Sequence, residues 1–411
     1  MNLKVRKSVI KYCIILIVYL APSRIFNLFS PYSSYAIMLI QGGIGVFYFM
    51  KYKSLEKKNI PMLLLFFIAS GFLGMVFNYN ADVAAYGRYI CWGISIIGLF
   101  LFISKSDEVE RKTFLESSKI MFFVSYILTV FYWAQMTDNM AYGTSVFFWG
   151  SEAVTVQAFI MFFSLSLFYD MEYKGKAGID SYIIGVASLL FCIANNSGQG
   201  ISMFIVLIVS CILDYWLKDR VWEALKPGIV IISIFLLNYI IITLRFTEYE
   251  IIVNYITNVL SKDISLTGRD IMFSGVLEIF SKHPIIGYGY NNGIVNDILG
   301  NCMMQFNTAH NSMLQMLVDY GLFGTGIFAL LIFNCLSGMR KFDYNKSSRI
   351  LYFSVFSMFV GGLVNMIIPT NNFWIVLFFG SSNWIRNIGN LRDVNGKNQN
   401  PEMILYEKYG R

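Results

Sequence analysis

Charge is scarce in this chain. Only 14% of its 411 residues are Asp, Glu, Lys or Arg, where a soluble protein carries about 25%. Histidine is scarcer still, at two residues, His283 and His310. There is no Walker A loop, no GxGxxG ahead of a strand, no HExxH, and no DxD in the segments assigned below to the outer face. A nucleotide-dependent or metal-dependent reaction is therefore unsupported, and no cofactor is implied. The six cysteines (Cys13, Cys91, Cys192, Cys211, Cys302 and Cys335) form no CxxC, and all but Cys302 lie in apolar segments. Neither a disulfide framework nor a zinc site follows from them. The net charge of +7 sits in short loops, where membrane orientation accounts for it, so nucleic acid is not an expected partner.

Apolar residues are abundant: 56% of the chain, with mean hydropathy +0.57. Twelve candidate spans recur along it, at roughly 9–29, 33–50, 60–77, 84–103, 118–135, 152–169, 181–194, 200–217, 227–244, 310–338, 350–368 and 373–388, the seventh of them short. The runs are continuous rather than alternating, so helices are the spanning form. The expected fold is an all-α polytopic membrane protein of about twelve transmembrane helices. Lys4, Arg6 and Lys7 precede the first run, with Lys11 just inside it. That resembles a signal peptide, but no small-x-small site follows, so an uncleaved first span is expected.

The Lys and Arg distribution sets the orientation. With the N-terminus in the cytoplasm, all but six of the 32 basic residues fall in cytoplasmic segments. The six on the outside are Arg24, Arg88, Arg245, Lys262, Arg269 and Lys282. Both termini are then cytoplasmic and the span count is even. Residues 1–389 read as one transmembrane domain and 390–411 as a polar cytoplasmic tail.

One outer segment is long. Residues 245–309 separate the ninth and tenth runs, and loops of that length are functional or disordered. Phe, Ile and Tyr throughout it argue against disorder. Met272, Val276, Ile279 and Phe280 repeat at helical spacing, which predicts an amphipathic helix over 270–282, lying on the membrane surface or on the bundle. His283-Pro284 ends that helix, and Gly287, Gly289 and Gly293 permit tight turns after it.

Arginine on the outer face runs against the orientation rule, so each one needs a reason. A guanidinium offers planar, bidentate, permanently charged donors suited to a diphosphate. Arg24 follows Pro22 at the end of the first run, Arg88 sits in the first turns of the fourth, and Arg245 ends the ninth. The alternative for each is a snorkelling side chain or a structural ion pair. His310 begins the tenth run, where a neutral imidazole can accept a proton from a hydroxyl; a capping or packing role is the alternative. His283, ahead of a proline, suits a structural turn. Asn195-Asn196-Ser197-Gly198-Gln199-Gly200 is a polar break between the seventh and eighth runs on the same face.

Gly268-Arg269 before an amphipathic helix, then Pro284-x-x-Gly287-x-Gly289, then His310-Asn311 with Tyr320-Gly321-x-x-Gly324, resembles the O-antigen ligase and O-antigen polymerase superfamily. The likeness is strongest over about residues 267–326, and the span number and late outer loop are also similar. The resemblance implies metal-independent, inverting glycosyl transfer outside the plasma membrane, from a glycan on undecaprenyl diphosphate. It assigns His310 as the base and Arg269 as the loop arginine; Asn311 and Gln199, the latter in the polar break on the same face, are candidate substrate contacts. Many relatives carry an arginine in the turn where this chain has Ser197-Gly198-Gln199, which shifts the diphosphate contact toward Arg88 or Arg245, with Arg24 a further candidate substrate contact.

The resulting expectation is a polysaccharide polymerase for O-antigen, capsule or exopolysaccharide. Undecaprenyl-diphosphate-linked oligosaccharide serves as donor and acceptor, membrane lipids surround the chain, and a chain-length regulator protein is a partner the resemblance admits. Two rivals stand beside it: a ligase passing the glycan to a lipid or protein acceptor, and a lipid-linked oligosaccharide flippase. Transporters place charge at midplane and show inverted repeats, and neither is evident here.

Overall fold

The computed structural model describes residues 3–20, 32–52, 59–78, 83–136, 146–217, 219–243, 269–290, 294–299, 308–341 and 346–382. Its helices are α1 (Leu3–Leu20), α2 (Ser33–Tyr52), α3 (Asn59–Asn78), α4 (Val83–Lys105), α5 (Glu108–Met136), α6 (Glu152–Lys174), α7 (Ile179–Ala194), α8 (Gly198–Trp216), α9 (Arg220–Ala224), α10 (Pro227–Thr243), α11 (Arg269–Lys282), α12 (Ile294–Leu299), α13 (Ser312–Lys341), α14 (Ser347–Gly362) and α15 (371–382). Each of the twelve apolar runs carries helix in its described part. Among the described residues, six helices (α3, α4, α5, α6, α8 and α13) are long and apolar enough to cross a membrane, and α1, α7 and α10 are shorter apolar helices. The chain is a helical, polytopic membrane protein.

One departure from an all-α fold is a two-stranded antiparallel hairpin ahead of α6. It pairs Val146 with Ser151 and Phe147 with Gly150, and it seats Trp149 in full burial.

The packing order follows from what each helix can bury. Helix α6 is buried on nearly every side from Thr155 to Asp170, held among α5, α7, α8 and α14. Residues 373–379 of α15 are likewise enclosed, with Trp374 at 0% exposure. The outer helices instead turn large aliphatics outward. On α7, Tyr182, Ile183, Val186, Leu190 and Ile193 make one exposed stripe at helical spacing, while Ile184, Ser188 and Phe191 face the core. A stripe of that kind is a liability in water and an ordinary surface in lipid.

At one end of the bundle two buried carboxylates are paired with basic side chains. Asp170 accepts from Lys119 at 2.9 Å and Lys174 at 2.8 Å, and Asp214 accepts from Arg349 at 2.9 Å. The opposite end, where α7 turns into α8 and α13 begins, is rich in amides and hydroxyls. The α7–α8 turn is tight, with Asn196 in the left-handed region at φ +49°, a conformation Asn tolerates. Ser197 caps α8 by accepting from Gly200 N–H at 3.3 Å.

Candidate functional site

The site begins with α11. Met272, Phe273, Val276 and Ile279 are buried on one side, and Ser274, Leu277, Glu278, Ser281 and Lys282 are exposed on the other. The buried side packs with Tyr288, Val295, Ala309, Leu314 and Val318 in a small core of its own. The amphipathic helix therefore rests on the bundle, against the first turns of α13 and the end of α10. Its sequence bounds of 270–282 differ from the observed Arg269–Lys282 by one residue.

The segment after α11 is woven into α13. Helix α13 breaks at Gly321, whose φ of +62° and ψ of −170° belong to a region open essentially to glycine. In an unbroken helix Leu322 N–H would donate to Val318 O, and Phe323 N–H to Asp319 O. Here Val318 O accepts from Tyr288 N–H at 2.8 Å and Asp319 O from Gly289 N–H at 2.7 Å. Leu322 N–H and Phe323 N–H donate instead to Pro284 O at 2.8 Å and Ile285 O at 3.0 Å. Two helical bonds are exchanged for four bonds to the loop, so all four of these backbone groups keep a partner. A Cβ on Gly321 would lie 2.3 Å from Ile285 O, and one on Gly287 (φ +74°) 2.5 Å from Val318 O. The Pro284-x-x-Gly287-x-Gly289 and Tyr320-Gly321 motifs are thus two halves of one main-chain junction. Asn78 of α3 fastens it further by donating to Gly287 O at 2.6 Å.

His310 stands at the head of α13 but outside it. Its φ is +44°, so it forms a turn, and the helix starts at Ser312. The sequence placed the helix start at His310; the displacement has a local cause. Asn311 is the N-cap, its Oδ1 accepting from Met313 N–H and Leu314 N–H at 3.0 Å each, the usual work of a capping Asn. The same side chain is fully buried, and its Nδ2 donates to Asn238 Oδ1 at 2.7 Å and Leu363 O at 2.9 Å.

From this turn a polar network spreads across helices. Ser312 Oγ donates to Asn365 O at 2.9 Å and accepts from Ile367 N–H at 2.8 Å. Asn365 Nδ2 donates to Gln199 Oε1 at 2.7 Å. Gln157 Nε2 donates to Met366 O at 3.2 Å. The sixteenth residue of α14 is its last, and residues 363–370 form a turn-rich connector where the apolar run predicted helix to 368. The connector supplies these main-chain partners. On the other side of His310, Ala309 N–H donates to Gln315 Oε1 at 2.9 Å, and Gln315 Nε2 donates to Asp319 Oδ1 at 2.8 Å. Asp319 is 1% exposed. Beside it, Tyr290 stacks on Trp92 with ring centres 4.8 Å apart. Burial pushes the Tyr290 phenol up to about 12, with the Asp319 carboxylate adding to the shift. Burial also raises Tyr288.

The structure brings His310, Asn311 and Gln199 into one neighbourhood, through Asn365 and Ser312. Arg88 bonds instead to Tyr35 Oη at 3.2 Å and lies over that ring; its neighbour Tyr89 packs on Tyr290, ring centres 5.5 Å apart. Arg269 is the first residue of α11, and its side chain lies outside the described part. Arg24 and Arg245 lie outside the described residues. His283 caps no network; its ring meets Tyr288 edge-on at 4.7 Å. Sequence reasoning missed Asn238, Gln315, Asp319 and Asn365. A signal existed for three of them: an amide in the otherwise apolar α10, and an amide and a carboxyl four residues apart inside apolar α13. Among the described residues, no three His, Cys, Asp or Glu gather in a way that could hold a metal ion.

The family model described as O-antigen ligase (Wzy_C) matches residues 183–329. That stretch runs from α7 into α13 and holds the α7–α8 turn, α11, the main-chain junction and the His310 turn. The match agrees with the resemblance carried by the motifs. It supports a ligase- or polymerase-type function in a membrane-embedded protein, the family's members being glycosyltransferase-like enzymes. No curated protein and no solved structure matches the chain.

Proposed function

We propose that this chain is a polysaccharide polymerase that moves a growing glycan from undecaprenyl diphosphate onto the sugar of a lipid-linked repeat unit. The reaction takes place at the outer face of the plasma membrane, on a twelve-span bundle with both termini in the cytoplasm. His310 takes the proton from the acceptor hydroxyl as its oxygen bonds to the anomeric carbon. The bond from that carbon to the diphosphate oxygen breaks, and the configuration inverts. Arg269, with Arg88, Arg245 and Arg24, stabilises the charge left on the diphosphate. Arg269 opens α11, so the positive end of that helix's dipole adds to the same field. No metal takes part. Gln199 lies beside the glycan, and Asn311, buried and bonded on all sides, holds the His310 turn in place of the substrate contact expected of it.

The observation that carries this reading is the His310 turn. One of the chain's two imidazoles is held in a strained, half-buried turn above a network of hydrogen-bonded amides. Backbone strain of this kind persists where the surroundings over-determine it, and it favours functional sites. The matched family's description as a ligase favours a second reading, transfer to a lipid or protein acceptor. One experiment separates them. Membranes holding the chain are given the lipid-linked repeat unit extracted from cells lacking it. Longer lipid-linked glycan, with one lipid diphosphate released per bond, supports the polymerase. Glycan appearing only on added lipid A core or protein supports the ligase, and transbilayer movement without new bonds would replace both with a transporter.

A further inference from the structure

We infer that Gln315 and Asp319 are positioning residues for His310, a relay that holds the proton acceptor through its backbone. The inference rests on the role proposed for His310 and adds what sets its geometry. A left-handed turn at a non-glycine residue is uphill by itself. Something must hold the His310 main chain there. His310 N–H has a long bond of 3.5 Å to Thr308 Oγ1, and the shorter hold is on the preceding residue, where Ala309 N–H donates to Gln315 Oε1 at 2.9 Å. An amide has two faces, and only the oxygen can accept that bond. Asp319 selects the face. Its carboxylate, an acceptor when ionised, takes Gln315 Nε2 at 2.8 Å, which leaves Oε1 turned to Ala309. The helix sets the spacing, since Gln315 and Asp319 are one turn apart on the same side of α13.

Asp319 is itself fixed from the other direction. Its main-chain oxygen accepts Gly289 N–H at 2.7 Å, so the residue that orients Gln315 also belongs to the junction between the loop and the broken α13. The Pro284-x-x-Gly287-x-Gly289 motif and the His310-Asn311 motif are thereby connected through two side chains. A shift in the junction would reach the imidazole by way of Asp319, Gln315 and Ala309. The burial of Asp319 in an apolar span, costly unless bonded, is explained by this work.

The test uses the full-length protein in membranes and, as probe, the lipid-linked repeat unit extracted from cells lacking the chain. Gln315→Met removes both bonds at similar size, Asp319→Leu removes the selector, and Asp319→Asn keeps an oxygen that can accept from Gln315. The expected result is a kcat lower by about 100-fold in the first two, the scale of a small misplacement of a reacting group. KM should be unchanged, and Asp319→Asn should restore most of the rate. A second measurement reads the imidazole itself. In a His283→Gln background His310 is the sole histidine, and its labelled imidazole resonance should move in Gln315→Met and stay put in Asp319→Asn. Where Asp319→Leu does not accumulate, Gln315→Asn, one methylene too short to reach Ala309, takes its place. Wild-type kcat and an unmoved resonance in Gln315→Met, with His310→Ala inactive, overturn the relay and leave the base assignment standing. Full turnover in His310→Ala overturns the base assignment and the relay with it.

Discussion

Tyr288 N–H donates to Val318 O at 2.8 Å, taking the acceptor that Leu322 would use in a continuous helix. That bond and its three companions make the break in α13 a designed joint between a loop and a helix. They explain why a glycine-punctuated motif far upstream matters to the residues around His310.

The joint can be probed at Gly321. An alanine there meets Ile285 O at 2.3 Å and a backbone region costing about 1–3 kcal/mol for a side-chain-bearing residue. Gly321→Ala should lower the melting temperature of the purified protein and reduce polymer together. Gly326→Ala, where an added Cβ meets nothing within 4 Å, should leave both unchanged. Equal behaviour of the two variants would remove the joint from the account.

Asn311 separates capping from tethering. Asn311→Asp keeps the acceptor for Met313 and Leu314 but loses the donors to Asn238 and Leu363. Asn311→Ala loses all of it, forfeiting about 1 kcal/mol of cap and leaving buried partners unpaired at about 1–3 kcal/mol each. Thermal unfolding in detergent should rank wild type above Asn311→Asp, and Asn311→Asp above Asn311→Ala.

Much of this architecture was legible in the sequence, and the limits are physical. The spacing of Met272, Val276 and Ile279 located α11 to within one residue, because an amphipathic period survives in any environment. The apolar runs located the bundle helices for the same reason that lipid demands them. His310 was expected inside α13 because residue type does not reveal a positive φ. The exchange of bonds between 284–289 and 318–323 was invisible: it is made by main-chain atoms, and only the glycines hint at it. Gln315 and Asp319 went unremarked because a helical run with two polar positions reads as a helix. Their meaning depends on Ala309, which only the folded chain brings within reach.

The basic residues predict an orientation, with residues 245–309 outside and both termini in the cytoplasm. A thiol-reactive, membrane-impermeant label should modify Asn291→Cys in intact cells and Asn398→Cys only after the membrane is breached. The reverse pattern would put residues 245–309 in the cytoplasm and end the proposed chemistry.

Metal dependence offers another check. Turnover of the extracted lipid-linked repeat unit should survive EDTA, since charge on the diphosphate is assigned to guanidinium groups rather than to a cation. Activity lost in chelator and restored by Mg²⁺ or Mn²⁺ would redirect attention to Glu248-Tyr249-Glu250, the nearest thing to an acidic pair in the 245–309 segment.

The central claim is that His310 and Arg269 perform the transfer, and a polymer-length gel beside a blot of the same membranes tests it most directly. Arg269→Ala and His310→Ala should abolish polymer at normal protein level, a loss of about 3–4 kcal/mol of barrier stabilisation for the arginine. Arg269→Lys should also largely fail, because lysine keeps the charge and loses the bidentate fork. His283→Ala should still make long chains. Long glycan from His310→Ala at normal protein level would contradict the account.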